Sequence, residues 1–261
     1  MPGPVRGSNA AHMAGPLQNS GWDRYFMSMH LDLHIHTTAY SRCSKLTPDA
    51  MAIAAKRAGL DGVCVTEHNR IWKEREARAL EDKHGIAIFR GMEVTTTGGD
   101  IIVFGLEEEP RQMWIPAMPN VKADAGWPHI SEQPLYPLTP MLLKAKVDAV
   151  RGVAIAAHPF RRFRVFGVGE LPVSLAEATS RTTLAHVHGI EVHNSMDTSQ
   201  ENDLALKVAD AMGLLKCGGS DAHTDTAVGA CVTRFDEWIH DERELVEAIL
   251  GGRFIISSMS Q

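Results

Sequence analysis

Beyond residue 30 the chain alternates between short apolar runs and longer stretches whose apolar positions recur at helical spacing. The runs at 31–35, 62–66, 86–89, 101–104, 153–157, 189–192 and 214–217 read as strands. Helices are predicted between them. One opens at Thr47-Pro48-Asp49, where Thr47 suits the N-cap, Pro48 the first helical position and Asp49 the dipole, and Gly59 stops it. Others cover about 72–84, 139–151, 174–184 and 199–212, and Gly85 and Gly213 close two of them. A strand, a helix and a strand at 229–232, 243–250 and 253–256 complete the pattern. Short strands alternating with amphipathic helices imply βα units and a parallel α/β sheet. About seven such units, without a dinucleotide-binding glycine fingerprint, favour a closed barrel over an open sheet, as a single domain over 29–261.

Two stretches fall outside this rhythm. Residues 1–28 are rich in Gly, Pro, Ser and Asn, carry no apolar periodicity, and lack the basic start and apolar core of a secretory signal. They read as a disordered extension or a remnant of expression. Residues 106–138 hold Glu107-Glu108-Glu109, six prolines, Trp114 and Trp127, with no clear period. They read as an irregular insertion, either a lid over a site or a surface loop.

The 261 residues are 44% hydrophobic, enough for a substantial core. Net charge is −6 with both signs interspersed, so no basic stripe offers an extended nucleic-acid footprint. No apolar run is long enough to span a bilayer. Cys43, Cys64, Cys217 and Cys231 form no CxxC pair and are too few for a disulfide scaffold. They read as thiols in a reducing, cytoplasmic compartment. The 13 histidines change the picture more than any of this, because of where they fall.

Along 31–36, strand alternation sends Asp32, His34 and His36 to one face and Leu31, Leu33 and Ile35 to the other. Two imidazoles on one face can hold a divalent ion, although many such pairs are simply surface strands. Later strands close in the same way: Glu67-His68, Glu93, His158, His193 and Asp221/His223 all stand at predicted strand ends. In β/α barrels the chemistry sits at the C-terminal ends of strands, a position that a random scatter of histidines would not respect. Imidazoles and carboxylates converging on one barrel mouth can serve more than one ion, with a carboxylate such as Glu93 as a bridge. Such a site suits metal-assisted hydrolysis. Phosphate esters profit most, because their transition state spreads negative charge over several oxygens.

Five segments in order, Asp32-Leu33-His34-Ile35-His36-Thr37, Thr66-Glu67-His68, Gly91-Met92-Glu93, Ala157-His158-Pro159 and Gly219-Ser220-Asp221-Ala222-His223, resemble the motifs of the PHP (polymerase and histidinol phosphatase) superfamily. The resemblance covers roughly residues 31–256. It implies a distorted (β/α)7 barrel carrying a phosphoesterase site with two or three divalent ions, of zinc, manganese or iron. It implies that His34, His36, Glu93 and Asp221 hold one ion, that Glu93 bridges to a second held by His158, and that His68 and His223 belong to a third. Three positions depart from the family pattern. Arg42 stands where members often carry Asp or His, which puts the third ion in doubt and offers a guanidinium to a substrate phosphate. Asp100 stands where many have a histidine and is a candidate ligand of the second ion. Glu67 replaces an aspartate and is expected to orient ligands rather than bind metal.

The expected function is hydrolysis of a small phosphomonoester or nucleotide by in-line attack of a metal-bridged hydroxide. His223 or a metal-bound water would protonate the leaving oxygen. Arg42, Arg161 and Arg162 would bind the phosphate, the last two reading equally as a solvated basic turn, and His193 would be a ligand or a substrate contact. One rival is a nuclease acting on short oligonucleotides, which calls for a basic, aromatic-lined groove beside the metals. Another is a non-catalytic metal-binding regulatory module. A third is an amidohydrolase-like barrel, for which no lysine is placed to carry a metal-bridging carbamate. The expected partner is a small phosphate ester rather than a membrane or a long nucleic acid; substrate identity and oligomeric state stay open.

Overall fold

The computed structural model describes residues 28–109, 138–161 and 174–257. The expectations for the N-terminal extension, for residues 110–137 of the insertion and for Arg162 lie outside the described residues. Strands β1 (Met29–Ile35), β2 (Gly62–Val65), β3 (Ala87–Thr96), β4 (Gly99–Phe104), β5 (Val153–Ala156), β6 (Gly189–Asn194), β7 (Leu215–Gly219), β8 (Val232–Phe235) and β9 (Phe254–Ser257) form one sheet in the order β7-β6-β5-β4-β3-β2-β1-β8-β9. Helices α1 (Pro48–Arg57), α2 (Glu74–His84), α3 (Pro140–Ala149), α4 (Leu175–Thr179), α5 (Ser199–Met212) and α6 (Glu242–Leu250) surround it.

Local chemistry accounts for most boundaries. Thr47 Oγ1 accepts from the Ala50 N–H at 3.2 Å to start α1, and Gly59 takes a left-handed φ of +72° just past its end. Helix α2 begins at Glu74 rather than at 72, because Trp72 turns inward and its indole N–H donates to Glu67 Oε1 at 3.0 Å. The stretch expected as one helix over 174–184 divides into α4 and a short 3-10 turn at Thr182–His186.

The sheet is mixed, where a parallel one was expected. Strands β1, β2 and β3 run parallel, as do β5, β6 and β7, but β4 is antiparallel to both β3 and β5. Only Thr97 and Gly98 link β3 to β4, too short a connection for a parallel crossover, so the chain makes a hairpin. Strand β3 is therefore long, and Glu93 lies within it, opposite Ile102 of β4, rather than just beyond its end.

The sheet curls until the segment after β7 meets the C-terminal part of β1, beyond the residues 29–31 that pair with β8. His36 N donates to Ala222 O at 3.0 Å, and Ser220 N to Asp32 Oδ1 at 2.9 Å. Gly219 makes this approach feasible, since a Cβ there would lie 2.8 Å from His34 N. The Asp32 carboxyl also accepts from Gly229 N at 2.9 Å. Burial pushes this carboxyl up to about 6, against the lowering effect of its N–H donors. The result is a nearly closed, distorted α/β barrel.

Strand β1 is buried on both faces. Leu31 and Leu33 pack with Phe89, Phe104, Ile155 and Cys217 against α6, whereas Ile35 packs with Met51, Val63 and Val65 beside α1. A register slip between Asp32 and Ile35 separates the two groups. A third apolar cluster joins β4, β5 and β6 to α3 and α5. Among the described residues no helix is long and apolar enough to cross a membrane.

Candidate metal centre

The closure of β1 against the 220–223 segment brings the candidate ligands together. His34 and His36 come from β1 and its exit, Asp221 and His223 follow β7, and His158 follows β5. His68 arrives because the chain after β2 keeps running beside β3: Glu93 N donates to Glu67 O at 3.1 Å and Asn69 N to Glu93 O at 2.9 Å. Two of these residues have unusual backbones. His158 has a φ of +27° and Asp221 a φ of +54°, a region that costs a non-glycine residue energy and clusters at functional sites.

Glu93 is the hub. Its Oε1 lies 2.8 Å from His158 Nε2 and 3.6 Å from His34 Nε2. Its Oε2 lies 2.8 Å from His68 Nδ1 and 3.2 Å from His36 Nε2. Asp221 Oδ1 adds a second carboxylate, 3.5 Å from His34 Nε2 and 3.2 Å from His36 Nε2. Among the described residues three groups have donor atoms within 4.8 Å of one another: His34, His36 and Asp221; His34, Glu93 and His158; and His36, His68 and His223. The expected ligands His34, His36, His68, Glu93, His158, Asp221 and His223 thus converge on one place.

The electrostatics of this cluster call for cations. Burial would lower the basicity of His34, yet the carboxylates of Glu191, Asp221 and Glu93 outweigh it and hold the imidazole well above its ordinary value. His68 is lifted to about 10, with burial again opposing and Cys43 and Glu93 prevailing. For Glu93 and Asp221 burial is likewise outweighed, by the surrounding imidazoles, and both carboxyls sit far below the usual range. Without metal, protons on raised imidazoles such as His34 and His68 balance the carboxylates; divalent ions can do so in their place. One atom has no such substitute. Glu93 Oε2 is buried and accepts no hydrogen bond, despite two ring nitrogens within 3.2 Å. Buried polar atoms are almost always satisfied, so this one fits an absent ligand. The donor set of imidazole and carboxylate suits zinc, iron or manganese.

Surrounding residues fix the ring orientations. Glu191 Oε1 accepts from His34 Nδ1 at 2.9 Å, which leaves Nε2 facing the cluster. Its Oε2 accepts from His158 N at 2.8 Å and Asn194 Nδ2 at 3.0 Å. On the other side Ser41 Oγ lies 3.3 Å from His36 Nδ1 and donates to Glu67 Oε2 at 2.5 Å. Glu67 thus sits behind the histidines, held also by Thr37 and Trp72, in the orienting position expected of it.

Other candidates fare differently. Asp100 joins none of the three groups but lies in their field: burial and Glu93 raise its carboxyl, and His158 lowers it. His193 also stands outside them. The register slips between Glu191 and His193, and it is Glu191 that reaches the cluster. Arg42 is exposed on the loop after β1. Arg161 is engaged: it donates from Nη1 to Asp221 Oδ2 at 2.5 Å, from Nε to Asp197 Oδ1 at 2.6 Å and from Nη2 to Asn194 Oδ1 at 2.8 Å. It steadies Asp221, and only its remaining donors are available to a phosphate. Three residues went unnoticed in the sequence. Glu191 and Ser41 are two. The third is Cys43, exposed, with Sγ 3.2 Å from His223 Nε2. Burial would raise this thiol, but hydrogen bonds with His223 and His68 bring it down to about 6.

Known proteins share this outline. Residues 199–254 match a family described as PHP-associated. Over 142 residues the chain is 30% identical to an uncharacterized protein of Methanocaldococcus jannaschii, a match spanning 51% of this chain and 68% of that one. The fold is similar to that of a Bifidobacterium adolescentis protein provisionally described as a metal-dependent phosphoesterase, with a TM-score of 0.57 and 18% identity over 84% of this chain and 95% of that one. It is also similar to endonuclease Q, solved with a 27-mer duplex bearing an abasic lesion at the active site, with a TM-score of 0.55 and 17% identity over 86% of this chain and 57% of that one. At such identities these structural likenesses concern the fold alone.

Proposed function

The chain belongs to the PHP family, and from that premise we propose that it is a metal-dependent phosphoesterase acting on a small phosphomonoester or nucleotide. The observation that carries this reading is Glu93, whose two buried oxygens each face a different pair of imidazoles, one of them without a hydrogen bond. Divalent ions held by His34, His36, His68, Glu93, His158, Asp221 and His223 would neutralise phosphate charge and ionise a water near neutral pH. The protein's own part is to fix the donors. Glu191 sets the His34 tautomer, Glu67 acts on His36 through Ser41, and Arg161 holds Asp221 and the 194–197 turn. Arg42, at the exposed rim, and the spare donors of Arg161 would meet the substrate phosphate. His223 donates from Nδ1 to Asp221 O at 2.8 Å, and a ring nitrogen of it groups with those of His36 and His68. We therefore assign it to ligation rather than to protonating the leaving oxygen, which solvent at the mouth can do.

The test is phosphate release from an aryl phosphate, a panel of nucleoside and sugar phosphates, and a short oligonucleotide, with Zn²⁺, Mn²⁺ or Fe²⁺ added separately. The expected result is metal-dependent release from a monoester that disappears in His34→Ala. Preferential oligonucleotide cleavage would favour a nuclease, as the fold shared with endonuclease Q allows. Tightly bound metal without any hydrolysis would favour a binding module.

A further inference from the structure

Cys43 lies on the loop between β1 and α1, and that loop is pinned on both sides of it. Ser41 Oγ is held by Glu67 and accepts from His68 N at 3.2 Å. Ser44 Oγ donates to His36 O at 2.9 Å, and Lys45 N donates to His223 O at 3.0 Å. The thiol between these anchors is therefore directed by the fold. Its Sγ stands 3.2 Å from His223 Nε2. Sulfur and nitrogen bound to one tetrahedral zinc lie about 3.6 Å apart, given Zn–S of ~2.3 Å and Zn–N of ~2.05 Å. The observed separation needs only a small adjustment to match. A second observation points to an ion at the same place: the unsatisfied Glu93 Oε2, with its side chain 1% exposed, lies 2.8 Å from His68 Nδ1.

We propose that Cys43 is a thiolate ligand of the ion held by His68 and His223, and that it makes this position select zinc or ferrous iron over manganese. The inference rests on the metal-centre reading above. Arg42, one of the departures from the family pattern, adds no ligand atom of its own; its neighbour Cys43 does. Thiolate is a soft donor, and sites containing it favour zinc and iron, whereas carboxylate and water suit manganese.

The test uses the full chain and reads the thiol directly. Cys64, Cys217 and Cys231 are buried, so a chromogenic disulfide reagent should label one thiol quickly in the native, metal-free protein. Zinc loading should slow that labelling at least about tenfold, and manganese should slow it far less. Cobalt-loaded protein should show a near-ultraviolet thiolate-to-cobalt absorption that vanishes in Cys43→Ser. The same exposed-loop variant should lose roughly tenfold or more in zinc-over-manganese preference. Zinc bound at the expected stoichiometry with Cys43 labelled at the metal-free rate, and no cobalt–thiolate band, would overturn this inference alone. Failure of any divalent ion to bind would overturn the metal-centre reading and this inference with it.

Discussion

Replacing Glu191 with Gln isolates the part of the centre that touches neither metal nor substrate. Glu191 receives three donors on two oxygens: His34 Nδ1 on Oε1, and His158 N and Asn194 Nδ2 on Oε2. A glutamine has one acceptor oxygen and one NH₂ in the same space. If the oxygen faces His34, the NH₂ meets two buried donors, each worth about 1–3 kcal/mol when left unpaired. The cheaper arrangement turns the oxygen toward His158 N and Asn194, so that the NH₂ donates to His34 Nδ1. His34 must then carry its proton on Nε2, the nitrogen that faces Glu93 and Asp221 and would bind metal. Glu191→Gln is therefore expected to fold and to lose metal affinity by about 10–100-fold, or roughly 1.4–2.7 kcal/mol. Chelator competition on the purified protein measures this, and unfolding of the metal-free form serves as the control. An affinity within twofold of wild type, or a loss of affinity matched by collapse of the metal-free fold, would refute the tautomer argument.

Three further outcomes follow from the same geometry. Gly219→Ala should destabilise the metal-free protein by about 1–3 kcal/mol in urea unfolding, since the new Cβ would press on His34 where β1 meets β7; a change under about 0.5 kcal/mol would mean that the closure yields easily. Arg161→Ala should cost the metal-free protein about 1.5–3 kcal/mol by stripping Asp221 and Asp197 of their donor, and metal should restore part of that; an equal loss with and without metal would contradict it. His68 has a folded value raised from 6.5 to about 10, so its contribution to stability is complete below about pH 6.5 and is lost as pH rises through about 10. The unfolding midpoint of chelated protein should therefore fall across that window, while metal-loaded protein, whose imidazoles are deprotonated, should not show the same decline.

The barrel and most of the centre were legible in the sequence because barrels place chemistry at strand ends and the histidines obeyed that rule. His34 and His36 come from β1 and its exit, His68 follows β2, His158 follows β5, Asp221 and His223 follow β7, and the geometry gathers them. The antiparallel β4 was hidden because the strands expected at 86–89 and 101–104 left a long connection between them; only the extension of β3 to Thr96 reduces that connection to the two residues of a hairpin. Other features had no local signal. Glu191 lies 157 residues from the His34 it orients, and alternation from His193 would mislead because the register slips between those two positions. Cys43 looked like any free thiol until the fold set it beside His223, 180 residues away. Arg161 was visible as a basic residue near the mouth, but its commitment to Asp197 and Asp221 arises only from tertiary packing.

Metal content is the most direct measure of the central claim. Elemental analysis of the wild-type chain after loading with zinc, manganese or iron should find two or more ions per chain. Glu93→Gln should hold at least one fewer, because its single carbonyl oxygen cannot serve both pairs of imidazoles that Glu93 faces. No bound ion in the wild type, or the same content in the variant, would contradict the assignment of this cluster as a multi-metal centre built around Glu93.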